Sequence, residues 1–231
     1  ASRGFNPPII LEKTRLSIDA VEDTGYVQSK WVAEELMHSA AARGLPVTIH
    51  RPGRVSGHSL TGFCSTSIGF WHFIRSMLVL QAAPNLRSDH LTLAPVDYVA
   101  RALVALIERG EPGATYHLSN VMQTSISDIL NAVRRAGYRL EVMSFEAWRE
   151  RLIQTAEGRA KQGDNSLASI ILLAGHLEKY DGSQTESALG QQHIETALAG
   201  TGITPPPITD AVLDRYVQHF IKVGFFPPTE M

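Results

Sequence analysis

Apolar and polar positions follow two periods along this chain, and the period changes wherever glycine or proline intervenes. Residues 1–22 show neither period. Pro7 and Pro8 block a helix there, so the segment reads as loop. From Asp23 or Thr24, either of which can cap, a helical pattern runs to about Ala42 and stops at Gly44 and Pro46. Val47, Thr48 and Ile49 open a short β-branched run that closes in the turn of VTIHRPGRVSG, which predicts a strand and then a turn. Ile68, Trp71, Ile74, Arg75 and Leu78 mark a mostly apolar face of a helix over residues 67–81. LTLAP, residues 91–95, predicts a short strand, and VDYVARALVALIERG a helix with Val99, Leu103 and Leu106 facing inward. TYHLSN reads as a strand ending in a turn, ISDILNAVRRAG as a helix from Ser125 or Ser127 to Gly137, YRLEVMSF as a strand and FEAWRERLIQTAEGRA as a helix with a charged face. TDAVLDRYVQHFIKVGFF predicts a last helix, capped by Thr209 or Asp210, that turns Val212, Tyr216, Phe220 and Val223 to one side.

Helices and strands alternate through the first two thirds, which points to the α/β class with a largely parallel sheet. The last third, from about Phe145, reads as mostly helical. With 44% hydrophobic and 19% charged residues among 231, the chain can bury a sizeable core. Its formal charge of −2 is spread along the chain, which argues against a nucleic-acid or membrane-surface partner. Cys64 is the single cysteine, so no internal disulfide forms and a reducing, cytoplasmic setting is expected. The longest apolar stretch, residues 167–173, is far too short to cross a bilayer. Nine histidines include no H-E-x-x-H and no pair four residues apart, so no metal site is expected.

One short stretch carries candidate chemistry. In TGYVQSKWVAEE, Tyr26 and Lys30 lie four residues apart in the first predicted helix and so share a face. An ammonium beside a phenol favours the phenolate, which lets a tyrosine exchange protons near neutral pH. With six tyrosines and five lysines in 231 residues, chance alone supplies about 0.13 such pairs per chain, so the pair needs context. Context comes from order: a polar loop, this helix, a short strand and a glycine turn, as a dinucleotide-binding sheet requires.

The ordered set GYVQSKWVAE, VTIHRPGRVSG, LAPVDYVARALVAL and ATYHLSN, with a late KYDGSQTESAL and a helix ending in GFFPP, resembles the extended short-chain dehydrogenase/reductase superfamily. Within it the chain is most similar to the thioester reductase domains that end nonribosomal peptide and hybrid polyketide synthetases, and to carboxylic acid reductases. That resemblance implies the C-terminal part of a Rossmann-type doubly wound parallel sheet plus a smaller, mostly helical substrate-binding subdomain. It implies residues 1–60 as the remainder of the dinucleotide-binding domain and 61–90 as a substrate-binding insertion. Residues 91–120 would return to the sheet, and 121–231 would form the substrate- and carrier-binding subdomain.

The implied activity is NADPH-dependent reductive release of an acyl or peptidyl thioester, held on the phosphopantetheine arm of a carrier protein, to an aldehyde or alcohol. By resemblance Tyr26 protonates the oxygen that gains charge, and Lys30 lowers its pKa and binds the nicotinamide ribose. Pro52, Gly53, Arg54 and Val55 match the family loop along the nicotinamide, where glycine lets backbone approach closely. The family's glycine-rich fingerprint and a Ser or Thr ahead of the tyrosine have no counterpart here. The expectation is therefore a chain that begins downstream of both, completes its cofactor site with upstream parts of the same polypeptide, and alone binds NADPH weakly. Alternatives are a redox-inactive relative releasing product by Dieckmann-type cyclisation, a non-catalytic substrate- or carrier-docking fragment, and a nucleotide-sugar reductase or epimerase.

Three further stretches invite readings. GHSLTG, residues 57–62, approaches a nucleophile elbow around Ser59 but lacks its second glycine at 61. Trp71, Phe70, Phe73 and Met77 suit a core or the wall of an acyl channel equally. Arg75, Arg87 and His90 suit a pantetheine phosphate or an acidic carrier, though a solvated surface explains each singly.

Overall fold

The structure, a computed structural model, describes residues 9–21, 25–86, 90–120, 122, 124–164, 167, 170 and 188–229. The chain divides into two compact units, one of residues 1–56, 92–123 and 186–207, the other of 57–91, 124–185 and 208–231.

The first unit alternates helices with three two-stranded parallel pairs. After β1 (Ile9–Ile10) comes the long helix α1 (Gly25–Ala42), then β2 (Ile49–Pro52) and β3 (Arg54–Val55). The unit continues with β6 (Leu93–Ala94), α3 (Val96–Arg109), β7 (Thr115–Leu118), β10 (Ala188–Leu189) and the six-residue helix α6 (Gln192–Ala197). β2 pairs in parallel with β7, setting Arg51 opposite His117, and β3 pairs in parallel with β6. β1 pairs in parallel with β10. Parallel pairing needs a crossover, and the connection from β2 to β7 ends in α3. Its inward face joins Tyr98, Val99, Ala102 and Leu106 to Tyr116, Leu118 and Ile194 in one buried cluster.

The second unit contains α2 (Gly69–Leu80), β4 (Ala82–Pro84), β5 (His90–Leu91), β8 (Thr124–Ser125), α4 (Ile126–Arg135), β9 (Glu141–Met143), α5 (Phe145–Ala160) and α7 (Asp210–Lys222). β4 and β9 are parallel, β5 and β8 antiparallel. Its core is aromatic: Trp71 meets Tyr216 and Phe220, and Phe73 meets Trp148 edge-on. Trp71, Phe73 and Met77 are buried, which places them in the core, while Phe70 is only partly covered. α4 starts at a capping box, Ser125 Oγ accepting from the Asp128 amide at 2.9 Å and the Asp128 carboxylate from the Ser125 amide at 2.8 Å.

Several expectations shift. The strand expected from Val47 begins at Ile49 and runs into Pro52, because β7 sets its register. LTLAP is two strands with different partners. On α3 the inward stripe includes Tyr98 and Ala102, and Leu103 is 37% exposed. Val223 lies just past the end of α7 and is half exposed. The loop before α1 contains β1 and a single turn of 3₁₀ helix at Ile18–Ala20. Asp23, Thr24, Arg87 and all but the last two residues of KYDGSQTESAL fall outside the described residues.

Candidate functional site

α1 places Tyr26 and Lys30 on successive turns, with the Lys30 Nζ over the phenol ring, 5.5 Å from its centroid. Tyr26 is 73% exposed, so the pair faces outward from the helix. No residue of α1 is fully buried, and its half-covered residues are Val27, Gln28, Trp31, Glu34, Glu35, His38, Ala40 and Ala41. Because apolar burial contributes so little, polar contacts set the helix against its neighbours. Trp31 Nε1 donates to the Leu16 carbonyl at 2.8 Å, and Arg15 pairs with Glu35 at 2.7 Å.

The 52–55 turn leaves the carboxyl ends of β2 and β7, where open α/β sheets bind ligands. The Gly53 amide donates to the Leu118 carbonyl at 3.0 Å. A Cβ on Gly53 would sit 3.0 Å from Ser119 Oγ, so glycine permits this close approach of two strand exits. Arg54 and Val55 form β3, opposite Leu93 and Ala94.

What joins the helix to the strand is Arg51, a residue the motif reading passed over. Its Nε donates to Glu34 Oε2 at 3.1 Å, and its Nη2 reaches Glu34 Oε1 as the second tine of a bidentate pair. The same guanidinium donates to the backbone carbonyls of Glu12, at 3.2 Å, and Thr14, at 2.9 Å, and lies 3.4 Å from His117 Nε2. Burial pushes the Glu34 carboxyl up, but the Arg51 hydrogen bond and charge, with His38 behind them, outweigh burial and leave it below its ordinary 4.5. Burial lowers the His117 pKa, and the Arg51 charge lowers it further against the raising effect of the Gly190 carbonyl.

Glu12 is the second residue that motif reading missed. It is 3% exposed, and its carboxylate accepts the amides of His117 at 3.0 Å, Ile194 at 3.2 Å and His193 at 2.5 Å. The loop before α1 is thereby fastened to β7 and to the start of α6. Spacing gave one usable signal, since Glu34 continues the Tyr26–Lys30 face by another four residues. Nothing local marks Glu12.

The hydroxyl and ammonium of the exposed pair are groups that could hold a ribose, whereas the Cβ side of Gly53 is taken up by Ser119. The sequence contains no glycine-rich fingerprint for a pyrophosphate. The Ser59 region is a tight turn: Gly62 has φ +74°, Ser59 is buried, and its carbonyl accepts from Arg215 at 2.9 Å. Arg75 directs its Nε to the Phe225 carbonyl at 2.8 Å. Cys64 is buried, and burial pushes its thiol up to about 12. Among the described residues no helix is long and apolar enough to cross a membrane, and no group of three or more His, Cys, Asp or Glu is placed to hold a metal.

A family model described as male sterility protein, an NAD-binding domain, matches residues 5–103. The isonitrile lipopeptide synthase of Streptomyces coeruleorubidus is 32% identical over 213 residues, covering 88% of this chain and 14% of that protein. The large subunit of L-2-aminoadipate reductase from Candida glabrata is 29% identical over 220 residues, 88% of this chain and 15% of that protein. The crystal structure of the terminal R domain from the myxalamid hybrid synthetase pathway superposes with a TM-score of 0.83 at 33% identity, covering 96% of this chain and 55% of that one. The chain thus spans about one seventh of these curated relatives and just over half of the R domain. In sequence and fold the chain is similar to the reductase domains of nonribosomal peptide and hybrid polyketide–peptide synthetases.

Proposed function

We propose that this chain carries the catalytic tyrosine, its lysine and the nicotinamide loop of an NADPH-dependent reductase of the short-chain dehydrogenase type. That reductase releases an acyl or peptidyl thioester from the phosphopantetheine arm of a carrier protein in the cytoplasm. The observation that supports this most is the Tyr26–Lys30 pair, stacked on one face of α1 in a chain similar to these domains. NADPH, when bound, supplies a hydride to the thioester carbonyl carbon. Tyr26 donates its phenolic proton to the carbonyl oxygen as that oxygen gains charge. Lys30 holds the ribose and offsets the charge left on the phenolate. The C–S bond of the resulting hemithioacetal then breaks, the pantetheine thiol leaves, and the aldehyde is released. Residues 52–55 would lie along the nicotinamide, and a pyrophosphate cradle is not assigned to these residues.

The test uses the polypeptide at its native length, an acyl-pantetheine thioester and NADPH, with loss of nicotinamide absorbance followed against time. Consumption that falls at least about a hundredfold in Tyr26→Phe is the expected result, given the usual contribution of a positioned general acid. Undiminished consumption in that variant rejects Tyr26 as the acid, and product formed without NADPH shows cyclisation or hydrolysis instead.

A further inference from the structure

Tyr26 and Lys30 act on a substrate only if the turn of α1 that carries them is held in register with the 52–55 loop. We propose that Arg51 is the positioning residue that holds it, acting through Glu34. The proposal rests on the function argued above.

Among the described residues two polar routes join α1 to the sheet: one passes directly through Arg51, the other through the preceding loop, which Arg51 and the Glu12 carboxylate both tie down. The direct route is the bidentate pair with Glu34, one turn beyond Lys30 and two beyond Tyr26. The indirect route runs from Trp31 and Glu35 to Leu16 and Arg15 in the preceding loop. That loop is itself tied down by Arg51 through the carbonyls of Glu12 and Thr14. Arg51 directly precedes Pro52 and Gly53, so one side chain fixes both halves of the site. α1 has no fully buried residue whose packing duplicates this role.

The chemistry demands a guanidinium. Two carboxylate oxygens on one side and two carbonyls on the other need donors spread along a rigid plane. A lysine ammonium is a point with three donors and cannot span them. Displacing reacting groups by as little as about 1 Å costs catalysis heavily even when binding survives.

Arg51→Lys and Glu34→Gln are made in the native-length polypeptide beside Tyr26→Phe. For each, kcat per folded molecule, KM for the acyl-pantetheine thioester and for NADPH, and amide exchange across α1 are measured. The expected result is a kcat about tenfold to a hundredfold lower in both variants, KM values within about threefold of the parent, and faster exchange in α1 with β7 unchanged. The double variant should be no worse than the weaker single one, because the two residues act as a unit. A residue needed only for stability would lower the folded fraction and leave kcat per folded molecule intact, and that outcome overturns the proposal. If Arg51→Lys does not fold, Glu34→Gln alone decides. Loss of activity in Tyr26→Phe with full kcat in Glu34→Gln sinks the positioning role and spares the proposed function. Full activity in Tyr26→Phe sinks both.

Discussion

Glu12 offers the sharpest test of how this unit is held together. Its carboxylate is 3% exposed and accepts three backbone amides, two of them, at His117 and Ile194, themselves buried. In Glu12→Ala those two donors lose their acceptor where water reaches them poorly, at a cost of about 1–3 kcal/mol each. The third, at His193, lies nearer solvent and is rehydrated cheaply. The sum is about 2–6 kcal/mol, a large share of the ~5–15 kcal/mol that holds an ordinary domain together. Glu12→Gln is milder. Its remaining carbonyl oxygen keeps the bonds to His117 and Ile194, and its new N–H₂ opposes the His193 amide, for about 1–3 kcal/mol. Amide exchange at His117 and Ile194 reads the effect where it arises, and a loss of about 3 kcal/mol appears there as roughly a hundredfold acceleration. Urea denaturation of the same variants gives the global counterpart. Exchange in Glu12→Ala within about threefold of the parent, or Glu12→Gln less stable than Glu12→Ala, refutes the view that this carboxylate is an acceptor for stranded amides.

Two more outcomes follow from the packing and the charges. In Gly57→Ala the new Cβ would lie 2.6 Å from the ring of fully buried Tyr216 and 2.9 Å from the Phe63 carbonyl, so thermal denaturation should show a loss of about 1–3 kcal/mol or more, while Gly69→Ala, with open space around it, shows none. Stability should also fall as the pH drops. His50 and His117 are held below the ordinary 6.5, so under that value the unfolded chain binds protons that the folded chain refuses. Glu34 is held below 4.5, so a second decline begins there as its ion pair with Arg51 is protonated away. Denaturation midpoints between pH 8 and pH 4 check this, and a midpoint that rises from about 6.5 downward contradicts the signs.

What the sequence disclosed and what it hid differ by range of interaction. The Tyr26–Lys30 face was legible because one helical turn encodes it, and four residues of spacing suffice whatever the rest of the chain does. The start of α4 near Ser125 and the buried stripe of α7 through Val212, Tyr216 and Phe220 were legible for the same reason. β2 was not. Val47 and Thr48 have the strand-forming side chains, yet the ladder starts at Ile49, because the partner that sets its register lies more than sixty residues away in β7. Leu103 failed similarly: periodicity fixes a stripe only to within a residue, and packing turned α3 onto Tyr98 and Ala102 instead. Arg51 shows the limit most clearly. It stood inside a motif already singled out, and by composition it was one more cation in a chain of charge −2. Its partners at 12, 14, 34 and 117 share no period with it or with one another. A polar hub joins segments that meet only after the sheet forms, so its pattern exists in space and nowhere along the chain. The pair proposed to perform the chemistry could therefore be read from local spacing, whereas the residue proposed to aim it had to be sought among long-range polar contacts.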